Sequence, residues 1–195
     1  MDRIILASGS EQRRASFALL GLDFAVIPAD IDETPPPGLA PEALVLHLAR
    51  RKAEAVVPKA VPTGAGLVFA ADTVIALEGK VFCKPADRRD ARRMLEALSG
   101  RTHEAVTGMA LLNLRSGEIL LDGGTARVEF SPLSDGELEW YLDSGEWEGA
   151  AGAYRLQGRG AALVRRIEGT PGAVTGLPLP EFYAMLRQQG FRFGA

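Results

Sequence analysis

The spacing of apolar residues along the chain switches between the two periods of regular structure, and the order of the switches predicts an α/β protein. Residues 3–7 (RIILA) read as a short buried strand ending in the small polar turn Ser8-Gly9-Ser10. A helical stretch follows over residues 12–20, closed by Gly21, and a second apolar strand over 24–28. That strand–loop–helix–strand order favours an α/β sheet. The polar segment 30–34 (DIDET) runs into Pro35-Pro36-Pro37, whose fixed φ favours an extended polyproline conformation. Residues 41–57 form the clearest helix, with Pro41 suited to its first turn.

After a loop at 58–66, residues 67–77 (LVFAADTVIAL) are apolar at both parities except for Asp72-Thr73, which predicts a strand covered on both faces. A turn at 78–80 leads back into a strand at 81–84 as a hairpin. The remaining pattern predicts a helix at 87–98, long strands at 103–114 and 118–130, and a helix at 134–142 opened by a Ser134/Glu137 capping box. A glycine-rich segment at 145–160, a strand at 161–167 and a helix at 181–189 complete the chain. No repeat, low-complexity tract or linker interrupts it, so one domain spanning 1–195 is expected.

Composition excludes several classes. Apolar content of 47% with a net charge of -3 is that of a folded chain, not a disordered one. No apolar run reaches the roughly 18 residues of a membrane span, and the N-terminus lacks the layout of a signal peptide, so no membrane association and a cytoplasmic location are expected. One cysteine, Cys83, precludes an intramolecular disulfide framework, and two histidines make a zinc site a poor fit. The acidic balance argues against a nucleic-acid surface. No phosphate-binding P-loop, dinucleotide fingerprint, H-E-x-x-H or G-x-S-x-G is present.

Several residues break the structural pattern. A carboxylate at Asp72, inside an apolar strand, costs several kcal/mol in desolvation unless a cation or hydrogen bonds compensate. Lys52 lies on the stripe Leu44, Leu48, Lys52, Val56, where the alternative is a lysine snorkelling past the core edge. Lys84 places a cation at a strand end, and the chain has only three other lysines. Arg13 and Arg14 at a helix start oppose the helix dipole unless an anion offsets them, and the N–H groups there attract anions. Asp32-Glu33 before the prolines could supply oxygen ligands; a solvated acidic turn is the alternative. His103 is expected to make a structural hydrogen bond, Cys83 to fill core, and Trp140, Tyr141 and Trp147 to pack. Cations combined with oxygen ligands suit magnesium or manganese acting on phosphate esters.

In order along the chain, LASGS (6–10) with Arg13, DET (32–34), LARRKA (48–53), ADTV (71–74), Lys84-Pro85, MLEALSGRTHEAVTG (94–108), AGAYRLQGRGA (151–161) and GLPL (176–179) resemble the Maf family of nucleoside triphosphate pyrophosphatases. The fold this resemblance implies is an elongated mixed-sheet α/β structure of the Maf/ITPase-like type, with a cleft between two lobes. The implied activity is hydrolysis of a nucleoside triphosphate to the monophosphate and pyrophosphate, aided by Mg2+ or Mn2+, often in a homodimer. Carried over, Asp72 would be the general base or hold the water through the metal. Glu33 with Asp32 would bind the metal, and Ser8, Ser10, Arg13, Lys52 and Lys84 would cradle the phosphates.

The dTTP/UTP subfamily has Arg, Thr and Gln at three specificity positions; this chain has Gln12, Thr73 and Gln157, matching two. The 7-methyl-GTP subfamily has Trp, Gln and Glu there. The usual Pro-Arg-Arg after the serines is Glu11-Gln12-Arg13, and the usual Asp-Lys before AGAY is Gly149-Ala150. The resemblance also leaves a non-catalytic nucleotide-binding regulator of septum formation as the alternative to an enzyme.

Overall fold

The structure is a computed structural model and describes residues 3–191; Met1, Asp2 and residues 192–195, included in the expected domain, lie outside the described residues. Among the described residues, seven strands and six α-helices form a mixed α/β architecture. The elements are β1 (Ile4–Leu6), α1 (Glu11–Leu19), β2 (Phe24–Val26), α2 (Pro41–Ala60), β3 (Leu67–Leu77), β4 (Lys80–Phe82), α3 (Arg88–Leu98), β5 (Thr102–Asn113), β6 (Ile119–Phe130), α4 (Asp135–Leu142), β7 (Val164–Gly169), α5 (Pro171–Thr175) and α6 (Leu179–Gln188). The strands pair in the order β2-β1-β3-β5-β6-β7, with β4 on β3.

The chain divides into two compact units, the first made of 1–72, 107–124 and 176–195, the second of 73–106 and 125–175. In the first, β1 lies parallel to both β2 and β3. Strand alternation then sorts β3: Leu67, Phe69 and Ala71 face Ile4, Leu6, Phe17 of α1 and Phe182, Met185 and Leu186 of α6. Val68 and Ala70 face Ala49, Ala53 and Val56 of α2. Both faces of β3 are covered, as its unbroken apolar sequence requires, and only Thr73 is not fully buried. Helix α2 approaches β5 so closely at Gly108 that a Cβ there would lie 2.6 Å from the backbone of Val45 and Leu46.

In the second unit, β4 turns back antiparallel on the end of β3, and β7 runs antiparallel to β6. Their apolar faces join Leu95 and Leu98 of α3 with Leu138, Tyr141 and Leu142 of α4. The Ser134/Glu137 capping box opens α4 as expected. Arg88 and Arg92 of α3 pair with Glu139 of α4, exposed contacts that contribute little each.

Several boundaries differ from the sequence reading. Helix α2 continues through Pro58 to Ala60, because a proline in the last turn forfeits one hydrogen bond while Val56 and Ala60 extend the buried stripe. Residues 159–163 form a 3-10 turn, moving the last strand to 164–169, and a short helix, α5, precedes the GLPL loop. Cys83, expected in the core, is only half-buried.

His103 is structural, as its sequence setting suggests. It is buried, its Nε2 lies 2.9 Å from the Tyr154 hydroxyl, and its ring meets Phe130 edge-on at 4.9 Å. Nδ1 has no hydrogen-bond partner among the described residues. Burial lowers the His103 pKa to about 4. Between that value and about 6.5 the unfolded chain binds a proton that the folded chain refuses, so stability is lost as pH falls through this window. Chemical denaturation at pH 7 and pH 5 is expected to show the wild type losing more stability than His103→Gln, with about 3 kcal/mol as the full effect of the shift; parallel pH profiles would show that His103 carries no such load.

Candidate functional site

Two independent periodicities meet at one point of the first unit. Alternation along β3 puts Asp72 on the same side as Val68 and Ala70, the side covered by α2. The i+4 stripe of α2 brings Lys52 to that side. Their side chains meet: Lys52 Nζ lies 2.5 Å from Asp72 Oδ1 and 3.0 Å from Glu33 Oε1. Lys52 and Asp72 are each 6% exposed, so the snorkelling alternative does not apply; the ammonium sits inside, between two carboxylates. Removing one partner of such a buried pair costs about 3–5 kcal/mol, which explains why neither residue stands alone in its apolar setting.

The β1–α1 turn supplies the neighbouring wall. Ser10 is the N-cap of α1, its hydroxyl accepting from Arg13 N–H at 3.4 Å. The Ser8 hydroxyl accepts from Ser10 N–H at 3.2 Å and from an Arg13 guanidinium N–H at 3.1 Å. A hydroxyl that accepts still has its own proton to donate. Arg13 is not the solvated helix-start arginine that its position suggests. It is buried, and its Nε donates to Gly176 O at 2.8 Å. Burial pulls the Arg13 guanidinium below its ordinary pKa, while the charges of Asp72 and Glu33 push it back up. Arg14 is exposed, and Gln12 is half-buried.

The segment carrying Glu33 is held from two sides. Arg51 donates to Asp32 O at 3.1 Å. Asp32 Oδ1 accepts from Thr34 N–H at 2.9 Å and from the Thr34 hydroxyl at 2.6 Å, and these bonds hold the exposed Asp32 carboxyl below its usual pKa. Asp32 thus builds the turn that precedes the prolines, with one oxygen committed to it. Arg51 was not singled out by sequence; its adjacency to Lys52 on α2, one step around the helix, was the available signal.

The structure brings Ser8, Ser10, Gln12, Arg13, Asp32, Glu33, Lys52 and Asp72 into the first unit. Thr73, Lys84 and Gln157 belong to the second. Thr73 is half-buried on β3, Lys84 is exposed just beyond β4, and Gln157 is exposed in the 156–158 turn. Of the aromatic residues, Tyr141 packs with its hydroxyl accepting from Arg155 N–H, Trp147 donates to Leu142 O, and Trp140 is largely exposed. Hard carboxylate oxygens at Glu33 and Asp72 are the donor type Mg2+ or Mn2+ prefers. Among the described residues no group of three or more His, Cys, Asp or Glu is placed to hold a metal ion, so a cation here would share its ligands with a phosphate or water.

A serine turn at a helix start, set beside buried cations and paired carboxylates on an α/β sheet, is a phosphate-handling arrangement. The chain belongs to the Maf-like protein family, whose model matches residues 3–189. It is similar to the dTTP/UTP pyrophosphatase of Anaeromyxobacter dehalogenans (strain 2CP-C), 45% identical over 191 residues that cover 97% of this chain and 95% of the relative. It is also similar to the dTTP/UTP pyrophosphatase of Myxococcus xanthus (strain DK1622), 46% identical over 187 residues, 96% of this chain and 92% of the relative. Among solved structures, the Staphylococcus aureus Ham1 protein aligns with 66% of this chain and 72% of its own, at 19% identity and a TM-score of 0.47. No helix among the described residues is long and apolar enough to cross a membrane.

The geometry separates two roles for Asp32. Asp32→Asn keeps the carbonyl oxygen that Thr34 uses, whereas Asp32→Ala removes it. Steady-state turnover across a magnesium titration is expected to be within about threefold of wild type for Asp32→Asn and lower by about tenfold, roughly 1.4 kcal/mol, for Asp32→Ala, which loses both Thr34 hydrogen bonds. Equal damage in both variants would return Asp32 to the metal-ligand role.

Proposed function

We propose that this chain, acting as a single functional domain, is a nucleoside triphosphate pyrophosphatase that cleaves dTTP and UTP to the monophosphate and pyrophosphate. The observation that carries the reading is the buried Lys52 ammonium between Asp72 and Glu33, beside the Ser8–Arg13 turn. The names of the relatives support the same substrate class, as do Thr73 and Gln157 at two of the three specificity positions.

The Lys52 contact commits one Asp72 oxygen and fixes the orientation of the carboxylate. Asp72 is then the general base: water adds to the α-phosphorus, its proton passes to Asp72, the bond to the α–β bridging oxygen breaks, and pyrophosphate leaves with the electron pair. Ser8 and Ser10 donate hydroxyl protons to phosphate oxygens. Arg13, spent on Gly176 O and Ser8, holds the turn and contributes its charge to the site. Lys52 and Lys84 stabilise charge on the transferring phosphoryl and the leaving group.

Arg13 and Lys52 balance Glu33 and Asp72 in charge, so this set alone does not offset the negative charge of a triphosphate. A divalent cation held by Glu33 and Asp72 supplies that compensation and polarises the phosphoryl group when bound. The location is the cytoplasm, where nucleotide pools are, and the assembly is a homodimer.

A panel of triphosphates with magnesium or manganese tests the reading by pyrophosphate release. Turnover is expected for dTTP and UTP, and Asp72→Asn is expected to lower kcat by about 100- to 10,000-fold with the fold retained. Wild-type activity in that variant would remove Asp72 from the chemistry. Binding without turnover of any triphosphate would favour the regulator over the enzyme.

Gln12 occupies the position where the dTTP/UTP subfamily has arginine. Gln12→Arg is expected to raise kcat/KM for dTTP and UTP relative to the purine triphosphates by about tenfold, the equivalent of one charge-assisted hydrogen bond. An unchanged substrate ratio would take position 12 out of base selection.

A further inference from the structure

The glycine-rich segment between residues 145 and 160 is tied together by Arg155 and by Glu146, a side chain that neither the function nor the motifs account for. Glu146 Oε1 accepts from Arg159 N–H at 3.0 Å, and Oε2 accepts from Gly160 N–H at 3.4 Å. Its backbone oxygen accepts from Arg155 Nε at 2.8 Å, and a second Arg155 nitrogen reaches Glu148 O at 2.5 Å. Arg155 N–H donates to the hydroxyl of the buried Tyr141 at 3.1 Å. A Cβ at position 158 would lie 2.5 Å from the Glu146 carboxyl carbon, so glycine there is what admits the carboxylate. The backbone of Gly158 is otherwise unremarkable in needing no positive φ, with φ at -132°. Arg159 also places its guanidinium 5.5 Å from the centre of the Trp140 ring, on α4.

These contacts fasten the chain immediately before and after Gln157. Gln157 itself is exposed, and its amide has no hydrogen-bond partner among the described residues. Fixing the backbone in advance removes an ordering cost of about 1–2 kcal/mol per residue that a ligand would otherwise meet on binding. Charge-assisted bonds from a carboxylate to backbone N–H groups are the strong way to do it.

We propose that Glu146 is a positioning residue for substrate selection: it holds the 155–160 loop so that the Gln157 amide is presented, pre-ordered, to the nucleotide base. The inference rests on the pyrophosphatase reading and adds a residue to it. The consequence is a defect in substrate binding, not in the chemical step.

The test compares wild type, Glu146→Ala, Gln157→Ala and the double variant in pyrophosphate release from UTP. Thermal unfolding and the fluorescence of the two tryptophans, Trp140 and Trp147, are followed in parallel. Each single variant is expected to raise KM about tenfold with kcat within about twofold of wild type, and the double variant is expected to be no worse than either, because both remove one function. Glu146→Gln, which keeps a carbonyl acceptor for one of the two N–H groups, is expected to fall between wild type and Glu146→Ala. Multiplying KM effects in the double variant, a loss confined to kcat, or a lower Tm with unchanged KM would each overturn the proposal. Wild-type turnover is the separate control. If wild type binds UTP without cleaving it, the enzymatic reading falls, and the same comparison is read from Kd. If wild type neither binds nor cleaves UTP, both fall.

Discussion

The first unit is organised around a lysine that it cannot expose. Lys52 sits on the buried stripe of α2, and its ammonium is compensated only because β3 delivers Asp72 to the same point and the 30–34 loop delivers Glu33. In a low-dielectric setting an uncompensated charge of either sign is costly. The three side chains therefore constrain one another: α2 must keep its register on β3, and the acidic loop must close on both. This is a demand on geometry more than a source of net stability, since apolar side chains of the same size would stabilise the core at least as well. A cluster that is costly to assemble and precise in its placement is what a site for a charged substrate requires.

The cluster extends to the serine turn through Arg13. Its guanidinium reaches Gly176 O from a position 163 residues earlier, so the turn that would meet phosphate is anchored to the segment entering α6. The arginine thereby does two things with one charge. It satisfies a backbone carbonyl and the Ser8 hydroxyl, and it feels Asp72 and Glu33 from within the protein. Serine hydroxyls that accept from such donors are oriented with their protons left for a ligand.

Much of this was legible in the sequence because it followed from period. Apolar residues at both parities of 67–77 required a strand covered on both faces, and parity alone put Asp72 on the side opposite Leu67, Phe69 and Ala71. The stripe through Leu44, Leu48 and Val56 put Lys52 inward. What sequence could not say was that these two faces are the same interface, since that depends on β1 and β3 being parallel neighbours beneath α2. The burial of Arg13 is not legible at a helix start, because nothing local announces a carbonyl arriving from Gly176. Sequence marks Asp32 and Glu33 as neighbouring acids but does not show that one Asp32 oxygen is committed to Thr34 while Glu33 reaches Lys52. The glycine-rich 145–160 segment showed composition without period, so its internal bracing by Glu146 left no trace for a pattern argument to find.

The division of the chain sharpens the chemical question. The boundary between the two units falls at the peptide bond between Asp72 and Thr73, in the middle of β3. The residue proposed to activate water is the last of one unit, and Thr73, proposed for specificity, is the first of the next. Both are carried by a strand whose flanking residues are buried on both faces, so neither can be displaced without disturbing the packing around it. Gln157, by contrast, is carried by a loop braced by the Glu146 carboxylate together with the hydrogen bonds of Arg155. A rigid core position for the proposed general base and a separately braced loop for the proposed base contact would let substitutions at Gln157 alter which nucleotide is selected without moving Asp72.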